Sequence, residues 1–270
     1  IVWQDKTPAQ LRGLARLGFT AAKVIASNGA ADPERIATAR DAGLGWYAEN
    51  IATYFYAPYH RFHPGQPPTW LFDQAKDRLR AAPNDMSVFL REPSLSDPEA
   101  RRGVADRLTR IARANTGHRA LYYNLADEAG IGDLVAAWDA DLSPPALAAF
   151  RDWLRGRYPD LRSLNATWHT DFAIWDDVVP DTTDRALRRS EGDWAAWMDF
   201  KAWMDIAFAD AVRLGTNALH AGDPRALSAL EGAQIPGWGG YDYSLLAPSV
   251  DAMEVSDTGN AAELARAFNP

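Results

Sequence analysis

Short apolar runs alternate along the chain with amphipathic stretches that carry their own start and stop signals. Thr7-Pro8-Ala9-Gln10 places an N-cap threonine, a proline at the first helical position and a glutamine positioned for a capping box. The helix it opens presents Leu11, Leu14, Ala15 and Leu17, and Gly18 closes it. Phe19 to Ile25 then reads as a buried strand with a polar end at Ser27-Asn28. Asp32-Pro33 and Gly43 bracket the next helix, and Leu44-Gly45-Trp46-Tyr47 runs as a strand into Ala48-Glu49-Asn50. With Ile1-Val2-Trp3 as an opening strand, this is the rhythm of an α/β fold.

From Ile51 to about Pro93 the rhythm breaks into a long excursion rich in aromatics, with a helix predicted over Trp70 to Arg80. Such a length in a compact domain marks a cleft-forming insertion. Ser96-Asp97-Pro98-Glu99 caps a helix with Val104, Leu108 and Ile111 inward, which leads to the run Leu121 to Leu125. Asp139 to Asp193 is a second, helical insertion: Pro144-Pro145 opens one helix, and Leu161, Leu164 and Trp168 belong to another. A long amphipathic helix follows from Asp193 to about Leu219, with Trp197, Phe200, Met204, Phe208 and Val212 on its buried side. Asp223-Pro224 ends it, Ala226 to Leu230 reads as a strand ending in Glu231, and Val250 to Val255 as another ending at Ser256-Asp257. Asn260 to Phe268 opens a last helix. Six strands with intervening helices predict a single domain over residues 1–270 of the (β/α)8 TIM-barrel type, with about six of its eight units present. The chain is therefore expected to be an excerpt of a longer one.

Composition narrows the functions open to such a fold. The net charge is −8 and the basic residues are scattered, which argues against a nucleic-acid or anionic-membrane partner. No apolar run reaches the length of a membrane span. Without cysteine there is neither a disulfide framework nor a cysteine-ligated zinc site. Eleven tryptophans suit a core, and they also suit a cleft that stacks sugars on aromatic faces.

The sharpest chemical feature is Leu121-Tyr122-Tyr123-Asn124-Leu125-Ala126-Asp127-Glu128-Ala129-Gly130, an apolar strand ending in two carboxylates. A parallel barrel strand delivers such residues into the cleft at its C-terminal end. Glu128 is the catalytic candidate, against the plainer role of capping a following helix. Asp127, Glu231, Asp257, Asn50 and Glu49 fall on the same rim as candidate contacts for sugar hydroxyls, and Trp238 and Tyr241 in the glycine-rich loop 234–243 are candidate stacking faces. Each of these polar groups has an architectural alternative, such as backbone satisfaction or a salt bridge. No metal site is expected, since His60 and His63 lack an obvious third ligand. No cofactor is expected either: Gly237-Trp238-Gly239-Gly240 has no lysine placed as in a nucleotide loop.

The stretch from Leu121 to Pro180 resembles the family 42 glycoside hydrolases, the β-galactosidase family of (β/α)8 barrels. The resemblance rests on the strand ending in Asp127-Glu128 and on Phe150, Trp153-Leu154, Tyr158, Leu161, Leu164-Asn165, Trp168, Thr170, Phe172 and Trp175. It implies that Glu128 is the acid/base of a retaining hydrolase of β-galactoside-like substrates, with the nucleophile on a seventh strand beyond Pro270. The chain departs from the family at Asp127, where an asparagine that binds the sugar 2-hydroxyl is usual, and at 141–145, where many members carry a cysteine-rich zinc knuckle. A barrel that binds carbohydrate without cleaving it, and a metal-dependent enzyme using His60 and His63, are the alternatives. The insertions offer surface for a homo-oligomer interface, and the substrate class favours an extracellular or periplasmic setting.

Overall fold

The computed structural model describes residues 1–2, 6–27, 30–58, 64–67, 70–131, 139–189, 192–233, 240–256 and 260–268. Helix α1 (Pro8–Arg16) opens with the capping box, Thr7 and Gln10 each accepting from the other's backbone N–H. Strand β1 (Ala21–Ser27) follows, then a two-residue antiparallel β2 (Ala30–Ala31) that the apolar pattern does not reveal. Helix α2 (Pro33–Asp41) starts on the Asp32 side chain, and β3 (Gly45–Glu49) completes the second unit. The first insertion contains a helical turn α3 (Thr53–Tyr56) and α4 (Trp70–Ala81), and α5 (Pro98–Asn115), whose first turn is capped by Asp97, follows it.

After β4 (Tyr123–Asp127) the second insertion packs α6 (Pro144–Arg157), α7 (Leu161–Trp168) and a short α8 (Thr183–Ala186) against the long α9 (Ala195–Gly222). Strand β5 (Ser228–Ala233), α10 (Tyr243–Leu246), β6 (Ala252–Val255) and α11 (Ala261–Phe268) end the described fold. The sheet order is β2-β1-β3-β4-β5-β6, with β1, β3, β4, β5 and β6 all parallel and Val2 bridging in parallel to Ala22 on the far side of β1. Sequential parallel strands with helices between them make this a barrel-type α/β fold. The final strands are shifted from the sequence-based reading. Ala226 still belongs to the turn closed by its N–H to Asp223, so β5 begins at Ser228 and carries Glu231 within it.

Alternation along each strand separates two environments. Val24, Trp46, Leu125 and Leu230 are buried toward the helices, and Lys23, Tyr47, Glu49, Tyr122, Asn124 and Glu231 fall on the opposite face. The helical layer is tightest where α5 meets α9, because a Cβ on Gly222 would run into the Thr109 carbonyl. No described helix is long and apolar enough to cross a membrane.

The aromatic pattern from 150 to 175 is architectural. Phe150 packs against Trp153, Trp168, Phe200 and Trp203. Asn165 closes the turn after α7 by exchanging bonds with the Phe172 backbone and accepting from the Thr170 hydroxyl. Asp199 on α9 gathers the Tyr158 hydroxyl at 2.5 Å, the Trp168 indole N–H at 2.9 Å and the Arg157 guanidinium at 2.9 Å. Its carboxylate is almost wholly buried, so removing it strands two interior donors. Asp199→Ala is expected to lower unfolding free energy by about 3 kcal/mol in urea titrations, and Asp199→Asn, which keeps an acceptor, by less; equal stability of wild type and Asp199→Ala would refute this account of the hub.

Candidate active site

Two irregularities in the sheet build the site. Between β4 and β5 the register passes from Asn124↔Ala229 to Asp127↔Glu231, three residues on one strand against two on the other. The extra residue reverses the side-chain parity of β4, so Asp127 faces the interior where unbroken alternation from Tyr122 and Asn124 would turn it outward. Between β5 and β6 the register likewise slips from Leu230↔Met253 to Ala233↔Val255, with Gly232 at φ +60° in the slip. A side chain on Gly232 would stand 2.6 Å from Asp127 Oδ1, 2.8 Å from Glu128 Cγ and 3.1 Å from Glu128 N. Only a bare Cα lets both acidic side chains lie across β5.

A cavity of about 340 Å³ opens here, lined by Ile1, Tyr47, Tyr122, Asp127, Glu231 and Glu254. Tyr47 and Tyr122 stack at 4.7 Å between ring centroids, and the Tyr122 hydroxyl donates to Glu231 Oε1 at 2.7 Å. Burial pushes the Glu231 carboxyl above the ordinary range; the Tyr122 hydrogen bond opposes this, and the nearby Asp127 and Glu254 charges reinforce it. Burial also holds both phenols well above their usual range, with Glu231 adding to the effect. Glu254 is exposed and accepts from the Gly232 N–H at 2.6 Å, so it belongs to this rim.

Glu128 follows Asp127 directly, half-buried, at φ +49°. That left-handed conformation is uncommon for a residue with a side chain, and it needs support from its surroundings. The Glu128 N–H donates to the Glu231 carbonyl at 3.0 Å, and the Gly130 N–H to the Tyr56 carbonyl at 3.0 Å. Buried Arg91 donates to the carbonyls of Gly130 and Ile131 from one side and to that of Phe55 from the other. Asn50, itself at φ +58°, accepts the Asp127 N–H at 2.7 Å and reaches Glu49 with its amide nitrogen at 3.3 Å.

The rim candidates therefore divide. Asp127 and Glu231 share the cavity, with Glu128 beside them. Glu49, expected as a rim contact for sugar hydroxyls, is instead 2% exposed and bridged to Lys23 at 3.2 Å, since parity turns it inward beneath the rim. The Asn50 amide serves Asp127 and Glu49. Tyr241 is corrected as well: it is buried, its ring packs on Phe208 and its hydroxyl donates to the Ala129 carbonyl at 2.5 Å, so it offers no stacking face. Trp238, Asp257, His60 and His63 lie outside the described residues. Among the described residues no three His, Asp or Glu side chains gather as a metal site. Sequence reasoning missed Tyr47, Tyr122 and Lys23 as interior groups, although strand alternation from Glu49 and Asn124 points to them.

The parallel sheet with helices between its strands, and a cavity on its inner face, make this a barrel-type α/β protein. The catalytic domain of β-amylase from Paenibacillus polymyxa superposes with a TM-score of 0.66 at 14% identity, over 99% of this chain and 80% of that one. The β-galactosidase of the psychrophilic Marinomonas ef1 gives 0.62 at 17%, over 95% and 39%, and that of the haloarchaeon Halorubrum lacusprofundi 0.63 at 16%, over 93% and 37%. The chain thus spans well under half the length of those two β-galactosidases. No curated protein matches it. A family model for glycoside hydrolase family 42, described as β-galactosidase, matches residues 51–257, and the chain belongs to that family.

Two measurements follow from the geometry. Gly232→Ala is expected to cost the full-length protein about 100-fold or more in hydrolysis with only about 1–2 kcal/mol of stability, because the methyl group displaces the acidic side chains from β5; unchanged turnover would show that their placement against Gly232 is immaterial. Asp205 on α9 accepts from the N–H groups of Gly240 and Tyr241, and burial pushes its carboxyl up to about 6. A raised carboxyl favours the folded state fully at pH values below its unfolded value, and the advantage disappears as pH rises through about 6. Relative to Asp205→Asn, the wild type is therefore expected to lose thermal stability between about pH 4 and about pH 6; parallel melting curves for the two proteins across that window would contradict the assignment.

Proposed function

We propose that this chain supplies the acid/base half of a retaining β-glycosidase site, with Glu128 as the acid/base and a β-galactoside as substrate. The observation that carries the reading is the placement of Glu128 at the C-terminal end of β4, on a turn fastened from three directions beside a cavity lined by carboxylates and tyrosine rings. Protonated, Glu128 donates to the leaving oxygen; deprotonated, it takes a proton from the water that attacks the glycosyl-enzyme. Asp127 and Glu231 accept hydroxyl hydrogen bonds from the sugar, and the Tyr47 and Tyr122 rings flank it. The nucleophile is a carboxylate from outside residues 1–270.

A second reading is favoured by Glu231, which shares the cavity with Asp127 and whose backbone is bonded to that of Glu128. Here Glu231 is itself the second carboxylate of the pair. Hydrolysis of aryl β-galactosides by the full-length protein separates the two. Glu128→Gln is expected to reduce kcat by about 100- to 10,000-fold. Glu231→Gln is expected to raise KM more than it lowers kcat if it binds substrate, and to abolish the glycosyl-enzyme intermediate if it is the nucleophile. A wild-type protein that binds galactosides and never hydrolyses them, or a fully active Glu128→Gln, sinks the enzymatic reading of Glu128.

A further inference from the structure

The peptide between Ala129 and Gly130, one residue past Glu128, is gripped at both of its polar ends. Its N–H donates to the Tyr56 carbonyl at 3.0 Å, and its carbonyl accepts from the Tyr241 hydroxyl at 2.5 Å. A peptide is a rigid plane, so holding both ends fixes its orientation and limits the backbone rotations at Ala129 and Gly130 through which the turn at Glu128 could relax. The two grips come from different segments of the chain yet share one anchor. Tyr56 is tied to α9 by its hydroxyl, which donates to the Ala211 carbonyl at 2.8 Å. Tyr241 is tied to the same helix twice, by its N–H to Asp205 Oδ1 at 3.0 Å and by its ring against Phe208 at 5.4 Å between centroids. Asp205 also holds the Gly240 N–H at 2.5 Å, at a residue whose φ of +93° makes the bend before Tyr241.

We propose that Tyr241 is a positioning residue for Glu128: through the Ala129 carbonyl it sets the turn that aims the carboxyl group at the leaving oxygen, and Asp205 sets Tyr241. The proposal rests on the reading of Glu128 as the acid/base. A tyrosine needed only for core packing would act through its ring, whereas this role resides in the hydroxyl. Tyr241→Phe keeps the ring against Phe208 and removes the donor to Ala129. Losing the donor lets the turn relax away from φ +49° and misdirects the acid without touching the sugar contacts made by Asp127 and Glu231.

The test compares two aryl β-galactosides on the full-length protein, one with a phenol leaving group that needs protonation and one with a dinitrophenol that does not. Tyr241→Phe is expected to lower kcat/KM on the first by about tenfold or more, with the second changed by less than about twofold and KM nearly constant. Asp205→Ala is expected to give the same pattern, and Asp205→Asn, which keeps the acceptor oxygen, a weaker form of it. Equal losses on both substrates, or none on either, overturn the proposal. Glu128→Gln run alongside separates the two levels of inference. A loss there that depends on the leaving group upholds the acid, so an unaltered Tyr241→Phe defeats positioning alone; a loss that ignores the leaving group removes the acid assignment and the positioning role with it.

Discussion

A carboxylate on a left-handed turn stays where it is only if the surrounding structure over-determines that turn. At Glu128 the constraint comes from four directions: the Glu231 carbonyl, the Tyr56 carbonyl, the Arg91 guanidinium and the Tyr241 hydroxyl. Arg91 suits its part because a planar guanidinium presents several donors in fixed directions, and here they reach carbonyls in three separate segments, at Phe55, at Pro93 and at Gly130-Ile131. The first insertion and the turn after β4 are joined through one side chain. Both insertions, which interrupt the barrel rhythm in the sequence, therefore lead back to the site: the first through Arg91 and Tyr56, the second through α6 and α7, whose aromatic core and Asp199 hub steady the α9 helix that carries Asp205 and Phe208.

Around that turn the sheet is arranged by parity. Tyr47 and Glu49 on β3 lie on the inner face with Tyr122, Asn124 and Glu231, and one register slip adds Asp127 to the same side. Burial raises the proton affinity of Glu231, and the charges of Asp127 and Glu254 beside it add to the rise. The Tyr122 hydroxyl and the charge of Lys23 hold that rise in check, while Lys23 is itself bridged to Glu49. The site is acidic at its surface and balanced beneath it by Lys23.

Much of the fold could be read in advance because its signals are local. The Thr7–Gln10 box, Asp32-Pro33 and Asp97-Pro98 each act within one helical turn, and the helices begin where those residues place them. The rhythm of buried runs gave the barrel class, and the tryptophan-rich pattern pointed to the family although its residues pack the scaffold. What could not be read depends on pairing between distant segments. A bulge is defined by the partner strand, so the slips at Asp127 and Gly232 leave no mark in a single sequence. Tyr241 illustrates the same limit: an aromatic in a glycine-rich loop looks like a sugar platform until the carbonyl that takes its hydroxyl, 112 residues away, is known.

Helix α9 runs for 28 residues without interruption, about 42 Å at the usual rise per residue. Near its middle it holds both tyrosines that grip the Glu128 turn, and at its far end Gly222 brings it into close contact with α5. Local opening in proteins proceeds by cooperative segments, and a single continuous helix with buried positions along most of its length does not divide into independent ones. The Glu128 turn and the base of the barrel are thereby placed in one unit of opening. Fluctuations that would loosen Glu128 at the rim must also disturb packing at the opposite end of the sheet, and this mechanical linkage raises the free energy needed to expose the turn toward that of the domain as a whole.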